Sequence, residues 1–134
     1  MRAEMKSFPL LLTIRRDSVS AGDDVDAPHE LSLTLASEDT LIRVCELLLQ
    51  AEFPARIAGG RATWILEAER PLAVIAQQWL EPRFLVDKTT PALTLVRSDV
   101  KPSMHLKYWC QADPGLVFDC LLKGKDLPDK FGRT

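Results

Sequence analysis

The chain lacks the short motifs that mark several large enzyme classes. Its 134 residues contain no GxGxxG, GxxxxGK[ST], HExxH or GxSxG sequence. Because such motifs hold nucleotide phosphates or place catalytic groups, their absence disfavours the familiar nucleotide-binding and hydrolase classes. We expect no cofactor and no catalytic residue, with an enzyme of unrecognised type as an alternative.

Long apolar runs and basic charge are also scarce. The strongly apolar run Phe8 to Leu12 is too short for a signal peptide or a membrane span. The formal net charge of -2 and the pI of about 5.7 disfavour a protein that grips phosphate backbones directly. These features predict a cytoplasmic protein that binds neither membranes nor nucleic acid.

The three cysteines do not form a recognisable framework. Cys45, Cys110 and Cys120 cannot all pair within the chain, and no CxxC pair could anchor zinc. As a nucleophile, Cys110 would need a nearby base, but His105 should point to the opposite face of the same predicted strand. We therefore expect reduced thiols and no metal site.

Composition and length indicate one globular domain. The hydrophobic fraction of 46% and the charged fraction of 27% are ordinary for a folded protein. We expect a single α+β domain over 1–134, with a core at 30–97, an acidic loop at 17–30, a C-terminal strand and helix at 103–124, and a tail at 125–134.

Apolar periodicity predicts alternating strands and helices. Period-two alternation predicts strands at 10–14, 31–35 and 104–110, and the paired residues Gly59 and Gly60 predict a hairpin. Weaker strand patterns occupy 83–87 and 92–97. Apolar stripes predict a helix capped by Ser37 and ended by Pro54, a second that starts at Pro71, and a third with Asp113 as N-cap and Gly124 as its stop. The residues of the three stripes are Leu41, Val44, Cys45, Leu48 and Leu49; Leu72, Ile75, Ala76, Trp79 and Leu80; and Leu116, Val117, Cys120 and Leu121.

From residue 31 to about residue 96, this order is strand, helix, strand, strand, helix, strand. It resembles the βαββαβ order of the ferredoxin-like class, preceded here by an extra N-terminal strand and followed by a strand and a helix. The expected architecture is a mainly antiparallel sheet with two to three helices packed chiefly on one face.

Two groups of residues are candidates for binding a partner. Asp23, Asp24, Asp26 and Glu30 form an acidic segment suited to electrostatic capture of a basic protein surface, and their spacing does not match a calcium loop. His105, Lys107 and Trp109 share one face of a predicted strand, where an exposed Trp would serve as an anchor. In the alternative that we favour, the final helix covers Trp109.

These features favour a non-enzymatic protein-binding module that occludes its partner. Small, mildly acidic domains without catalytic motifs include immunity proteins and antitoxins, which act as toxin inhibitors, for example against a basic nuclease. One alternative is a sensing or regulatory domain that binds a small molecule. The other is the unrecognised enzyme, which would use Cys110 or a pair of acids.

Overall fold

A computed structural model describes residues 10–18, 29–55, 60–97 and 101–129. Two helices occur in these ranges, α1 (Leu41–Gln50) and α2 (Pro114–Lys123), together with a short 3-10 turn at Ala92–Thr94. The strands are β1 (Leu10–Arg16), β2 (Glu30–Leu35), β3 (Thr63–Glu67), β4 (Pro71–Ala76), β5 (Arg83–Phe84) and β6 (Ser103–Tyr108).

The strands form one mixed sheet in the order β2-β1-β6-β3-β4-β5. β1 runs parallel to β6, and every other neighbouring pair is antiparallel. The α+β class is therefore confirmed. The parallel pair joins the first described strand to the last, so contacts between the two ends of the sequence build the middle of the sheet.

The predicted helix at 71–80 is wrong, because this segment begins with β4. Leu72 to Ala76 are all buried, and Ile75 and Val74 lie directly opposite Trp64 and Ile65 of β3. A short, continuous apolar run satisfies helical and extended spacing equally well, and burial on both faces here favours the strand. The ferredoxin-like order is therefore not observed, since only α1 separates the strands in the described part of 31–96.

Smaller corrections affect the neighbouring segments. The strand predicted at 83–87 is reduced to the two residues of β5, and the one predicted at 92–97 contains the 3-10 turn instead. Gly60 has a φ of 71°, as a hairpin glycine would, but residues 56–59 lie outside the described ranges. The prediction of a hairpin around these glycines is therefore untested.

On one side of the sheet, called the inner face, α1 covers the main core. Its residues Leu41, Val44, Cys45 and Leu48 are buried, as the apolar stripe predicts, whereas Leu49 is 41% exposed. The N-cap is Thr40 rather than Ser37. The Thr40 hydroxyl accepts from the Arg43 amide at 3.4 Å, so the helix begins one turn later than predicted.

α2 packs on the opposite side, called the outer face. The predicted start and end of this helix are confirmed. The Asp113 side chain caps the first turn, Pro114 follows, and Gly124 adopts a left-handed conformation at the end. Val117 is buried against Ile65 and Val74. The expectation that the helices share one face is wrong, because these strand residues also need apolar cover on the outer face.

One charged residue lies in the inner core. Arg16 follows Leu12 and Ile14 in the period-two alternation of β1 and is only 6% exposed. Its guanidinium carbon lies 5.7 Å from the ring centre of Phe53 and 5.9 Å from that of Trp64. Aromatic faces attract the guanidinium cation and also cover its apolar stem.

α1 ends in a Schellman motif built around a residue that is not glycine. The Phe53 amide donates to the Leu48 carbonyl, and the amide of Glu52 donates to the Leu49 carbonyl, each at 3.0 Å. Glu52 adopts a φ of 53°, which a side chain disfavours. Phe53 and Leu48 are both buried, so this motif, rather than Pro54, ends the helix.

We predict that Glu52→Gly raises the free energy of unfolding by about 0.5–1 kcal/mol, because glycine tolerates the left-handed conformation. Urea denaturation measures the change. The matched control is Glu46→Gly at an exposed position inside α1, which should lower the free energy of unfolding by about 1 kcal/mol. Equal destabilisation by both changes would contradict the strain at Glu52.

Candidate functional site

Among the described residues, α2 covers only part of the outer face of the sheet. The apolar cluster beneath α2 contains Ile65 of β3 and Val74 of β4, but no residue of β1 or β2. Of the residues that point outward from β1, Leu11 is 54% exposed, whereas Thr13 is only 2% exposed. We call the outer surface of β2, β1 and β6, together with Glu67 at the end of β3, the open face.

A row of ionisable side chains crosses the open face at right angles to the strands. The register places Glu30 opposite Arg15, Arg15 opposite His105, and His105 opposite Glu67. The Arg15 guanidinium lies 3.0 Å from the Glu30 carboxylate, and the ammonium group of Lys107 lies 3.3 Å from the Glu67 carboxylate. Four strands thus bring acids and bases into direct contact.

Asp17, immediately after β1, anchors His105. Its Oδ1 lies 2.7 Å from the imidazole Nε2, and its Oδ2 accepts from the Tyr108 amide at 2.9 Å. Its own amide donates to the carbonyl of Leu106 at 3.0 Å. Because a carboxylate only accepts hydrogen bonds, the Nε2 atom carries the proton and the ring is held in one orientation.

These side chains form three acid–base pairs, which we call the outer-face network: Glu30 with Arg15, Asp17 with His105, and Glu67 with Lys107. All six side chains are between 25% and 57% exposed. Ion pairs this accessible to water stabilise a fold by only about 0–1 kcal/mol each. Their charges can therefore form new pairs with an incoming surface at little cost to the fold.

The structure places the predicted partner-binding residues in different parts of the molecule. The structure brings Glu30, His105 and Lys107 together in the outer-face network. Trp109 lies on the same face of the sheet but packs within the cluster beneath α2, and its indole nitrogen donates to the Pro128 carbonyl at 2.9 Å. The other predicted residues, Asp23, Asp24 and Asp26, lie outside the described residues.

Sequence reasoning missed three members of the network, Arg15, Asp17 and Glu67. Asp17 falls within the predicted acidic loop, and no sequence motif marks Glu67. The alternation of β1 does place Arg15 outward, opposite to Leu12 and Ile14. What the sequence does not reveal is that β1 lies beside β6, and this pairing alone brings Asp17 to His105.

A cavity of about 370 Å³ lies between the end of α1 and the end of β4. Its walls are mostly apolar, with Glu52 and Gln77 as the polar exceptions; the remaining lining residues are Leu49, Pro54, Ala55, Trp64, Ile75, Ala76, Trp79 and Leu80. Among the described residues, the Trp64 indole nitrogen has no hydrogen-bond partner, but less than 1 Å² of it is accessible. A ligand in the cavity could not reach this donor without a shift of the ring.

The thiols form no metal centre in the described residues. No group of three or more His, Cys, Asp or Glu side chains that could hold a metal occurs there. Burial raises the pKa of the Cys45 thiol to about 12, and the charge of Glu46 acts in the same direction. Cys110 packs against the inner core, whereas His105 lies on the open face.

Comparison of the chain with protein-family models, with characterised proteins and with solved structures returns no match. Within the described residues, no helix is long and apolar enough to cross a bilayer. The open face and the cavity are therefore the features of the molecule that bear on its function.

We predict that Cys45 makes the stability of the fold fall in alkaline solution. The folded thiol keeps its proton up to about pH 12, whereas an unperturbed thiol loses it near 9.0. The unfolded state therefore binds fewer protons in this interval, and the free energy of unfolding falls by up to about 1.4 kcal/mol per pH unit as pH rises.

Urea denaturation measures this effect. The free energy of unfolding of wild type and of Cys45→Ala is compared at one pH below and one pH above the ordinary thiol pKa. The variant should lose less stability between the two conditions. Tyr108, whose pKa burial also raises, remains in both proteins and cancels in the comparison. The same pH-dependent loss in both proteins would show that Cys45 does not titrate on unfolding.

Proposed function

We propose that the chain is a non-enzymatic protein-binding module that uses its open face to occlude a partner. The observation that carries this proposal is the outer-face network, which presents charges of both signs on one side of the sheet. A shallow depression of about 240 Å³ lies beside Arg15, Glu67 and His105 of the network. Such a surface suits another protein better than a small substrate, which needs deeper enclosure.

The connection between β1 and β2 supports a basic partner. Asp17 and Glu30, both in the network, bound the segment that contains Asp23, Asp24 and Asp26. The chain thus joins these three further acids directly to the open face. Clustered negative charge accelerates encounter with a positively charged surface and disfavours acidic competitors.

The more specific form of the proposal is an immunity protein or antitoxin that neutralises a toxin such as a nuclease. An enzyme that binds nucleic acid needs a basic surface, and an acidic module that covers this surface would inhibit it. Size and charge support this form by analogy, and the open face supplies an area on which such an enzyme could be held.

The test is affinity capture from the native cell extract with immobilised protein, followed by calorimetric titration of the captured protein. The double variant Glu30→Lys, Glu67→Lys should bind at least about tenfold more weakly, because it turns two attractive contacts with a basic surface into repulsive ones. The matched control, Glu38→Lys with Glu81→Lys, makes the same change in net charge at exposed positions outside the network.

Equal binding by both double variants would place the interface away from the open face, and capture of no specific protein would contradict the proposed function. If the captured protein is a nuclease, wild type should abolish its activity and the network variant should not. The triple variant Asp23→Asn, Asp24→Asn, Asp26→Asn should lower the association rate at low salt and have little effect at high salt.

The cavity favours a second candidate function, a sensing domain for a small molecule. Its volume of about 370 Å³ falls within the usual range for ligand sites, and Trp79 and Ile75 supply apolar walls. With Glu52 at its boundary, it suits a mostly apolar ligand that carries a hydrogen-bond donor or a positive charge.

We predict that such a ligand raises the melting temperature in proportion to the logarithm of its excess over Kd. A thermal-shift screen of apolar amines, amino acids and nucleotides measures this. A shift that is lost in Glu52→Gln and kept in Glu46→Gln would assign the ligand to the cavity. No shift with any compound would remove the sensing function.

A further inference from the structure

The two edges of the sheet differ in how they are protected. β5, at one edge, has only two residues, and it begins with Arg83 directly after Pro82. β2, at the other edge, has six residues that include no Lys, no Pro and no bulge. Short strands, lysines, prolines and bulges are the usual devices that prevent an edge from pairing with another chain. Within the described residues, β2 has none of these four devices.

The backbone of β2 presents unused hydrogen-bonding groups at this edge. The Arg16 amide donates to the His29 carbonyl at 3.0 Å, which fixes the alternation of the antiparallel ladder. Leu31, Leu33 and Leu35 therefore turn their backbone groups towards β1. The backbone groups of Glu30, Ser32 and Thr34 turn away from it, and no other strand of the described residues pairs with β2 on that side.

We propose that β2 pairs antiparallel with β2 of a second copy of the chain, with the two-fold axis at Ser32. Ser32 then lies opposite Ser32 of the second copy, and Glu30 opposite Thr34. All three outward-facing residues enter hydrogen-bonded pairs, giving roughly six new backbone hydrogen bonds. Moving the pairing by one residue would set outer-face side chains against inner-face ones, so the pleat excludes it.

Side-chain chemistry favours a second copy as the occupant. In this register, Leu31 of each copy meets Leu33 of the other on the inner face, which extends the apolar side of both sheets. The only charge in β2 is that of Glu30, and the two Glu30 residues are separated by four residues along the ladder, about 14 Å. At that distance salt screens their repulsion.

Dimerisation by this edge does not depend on the proposed function, since it uses the backbone of β2 rather than the charges of the open face. The first test is sedimentation equilibrium on wild type, Ser32→Lys and the matched control Gln78→Lys, an exposed residue beyond β4. Wild type and the control should form dimers. Ser32→Lys sets two positive charges across the axis and should be monomeric with a melting curve that still shows a folded protein.

The second test is disulfide formation under mild oxidation, measured against wild type because of its own thiols. The Ser32 positions of the two copies should have Cα atoms about 5.5 Å apart, within reach of a disulfide. The Thr34 positions should be about 14 Å apart, beyond reach. Ser32→Cys should therefore cross-link and Thr34→Cys should not.

A monomeric wild type at every concentration, or a dimer that persists in Ser32→Lys, would overturn the proposal. Equal cross-linking of Ser32→Cys and Thr34→Cys would overturn the register. Both tests measure association between copies of the chain alone, so their results are independent of whether the wild-type protein captures a partner.

Discussion

The burial of β3 and β4 on both faces is the constraint on which the rest of the structure depends. Trp64 and Leu66 face the inner core, while Ile65 and Val74 face the outer cluster. A strand that is apolar on both faces needs cover on both, so one helix alone could not complete this fold. α1 supplies the inner cover and α2 the outer cover, which places the helices on opposite sides of the sheet.

Among the described residues, the outer cover that α2 supplies ends at β3 and β4, which leaves the open face. Towards β1 and β2, most outward residues other than Leu11 are polar or charged, and the network lies where α2 does not reach. Exposed ion pairs add little to stability, so stability alone does not account for the network. The fold and the proposed function thus share one origin, which is the limited extent of α2.

Local signals made part of this structure predictable from sequence. The residues that start and end α2, Asp113 and Gly124, are recognisable from the local sequence, and so is the strand alternation at 31–35 and 104–110. Each of these patterns corresponds to an observed helix or strand. The cap of α1 was misplaced because Ser37 and Thr40 are both good N-cap residues. The run at 72–76 was misread because its apolar spacing fits a helix as well as a strand buried on both faces.

The site was less predictable because its contacts are long-range. Asp17 and His105 are 88 positions apart, and only the parallel pairing of β1 with β6 brings them together. Nothing in the local sequence of either strand specifies that pairing. His105 and Lys107 could be placed outward by alternation, but their acidic partners required the order of the strands.

The central claim is that the cover that α2 gives to the outer face ends at β3 and β4. Hydroxyl-radical footprinting of the free protein tests this claim most directly. The account predicts rapid oxidation of Leu11 and His105 on the open face and slow oxidation of Ile65 and Val74, which are buried beneath α2. The oxidation rates are compared after division by the intrinsic reactivity of each residue type with the radical. Oxidation of Ile65 as fast as that of Leu11 would contradict the account, because it would show that α2 does not cover this part of the sheet.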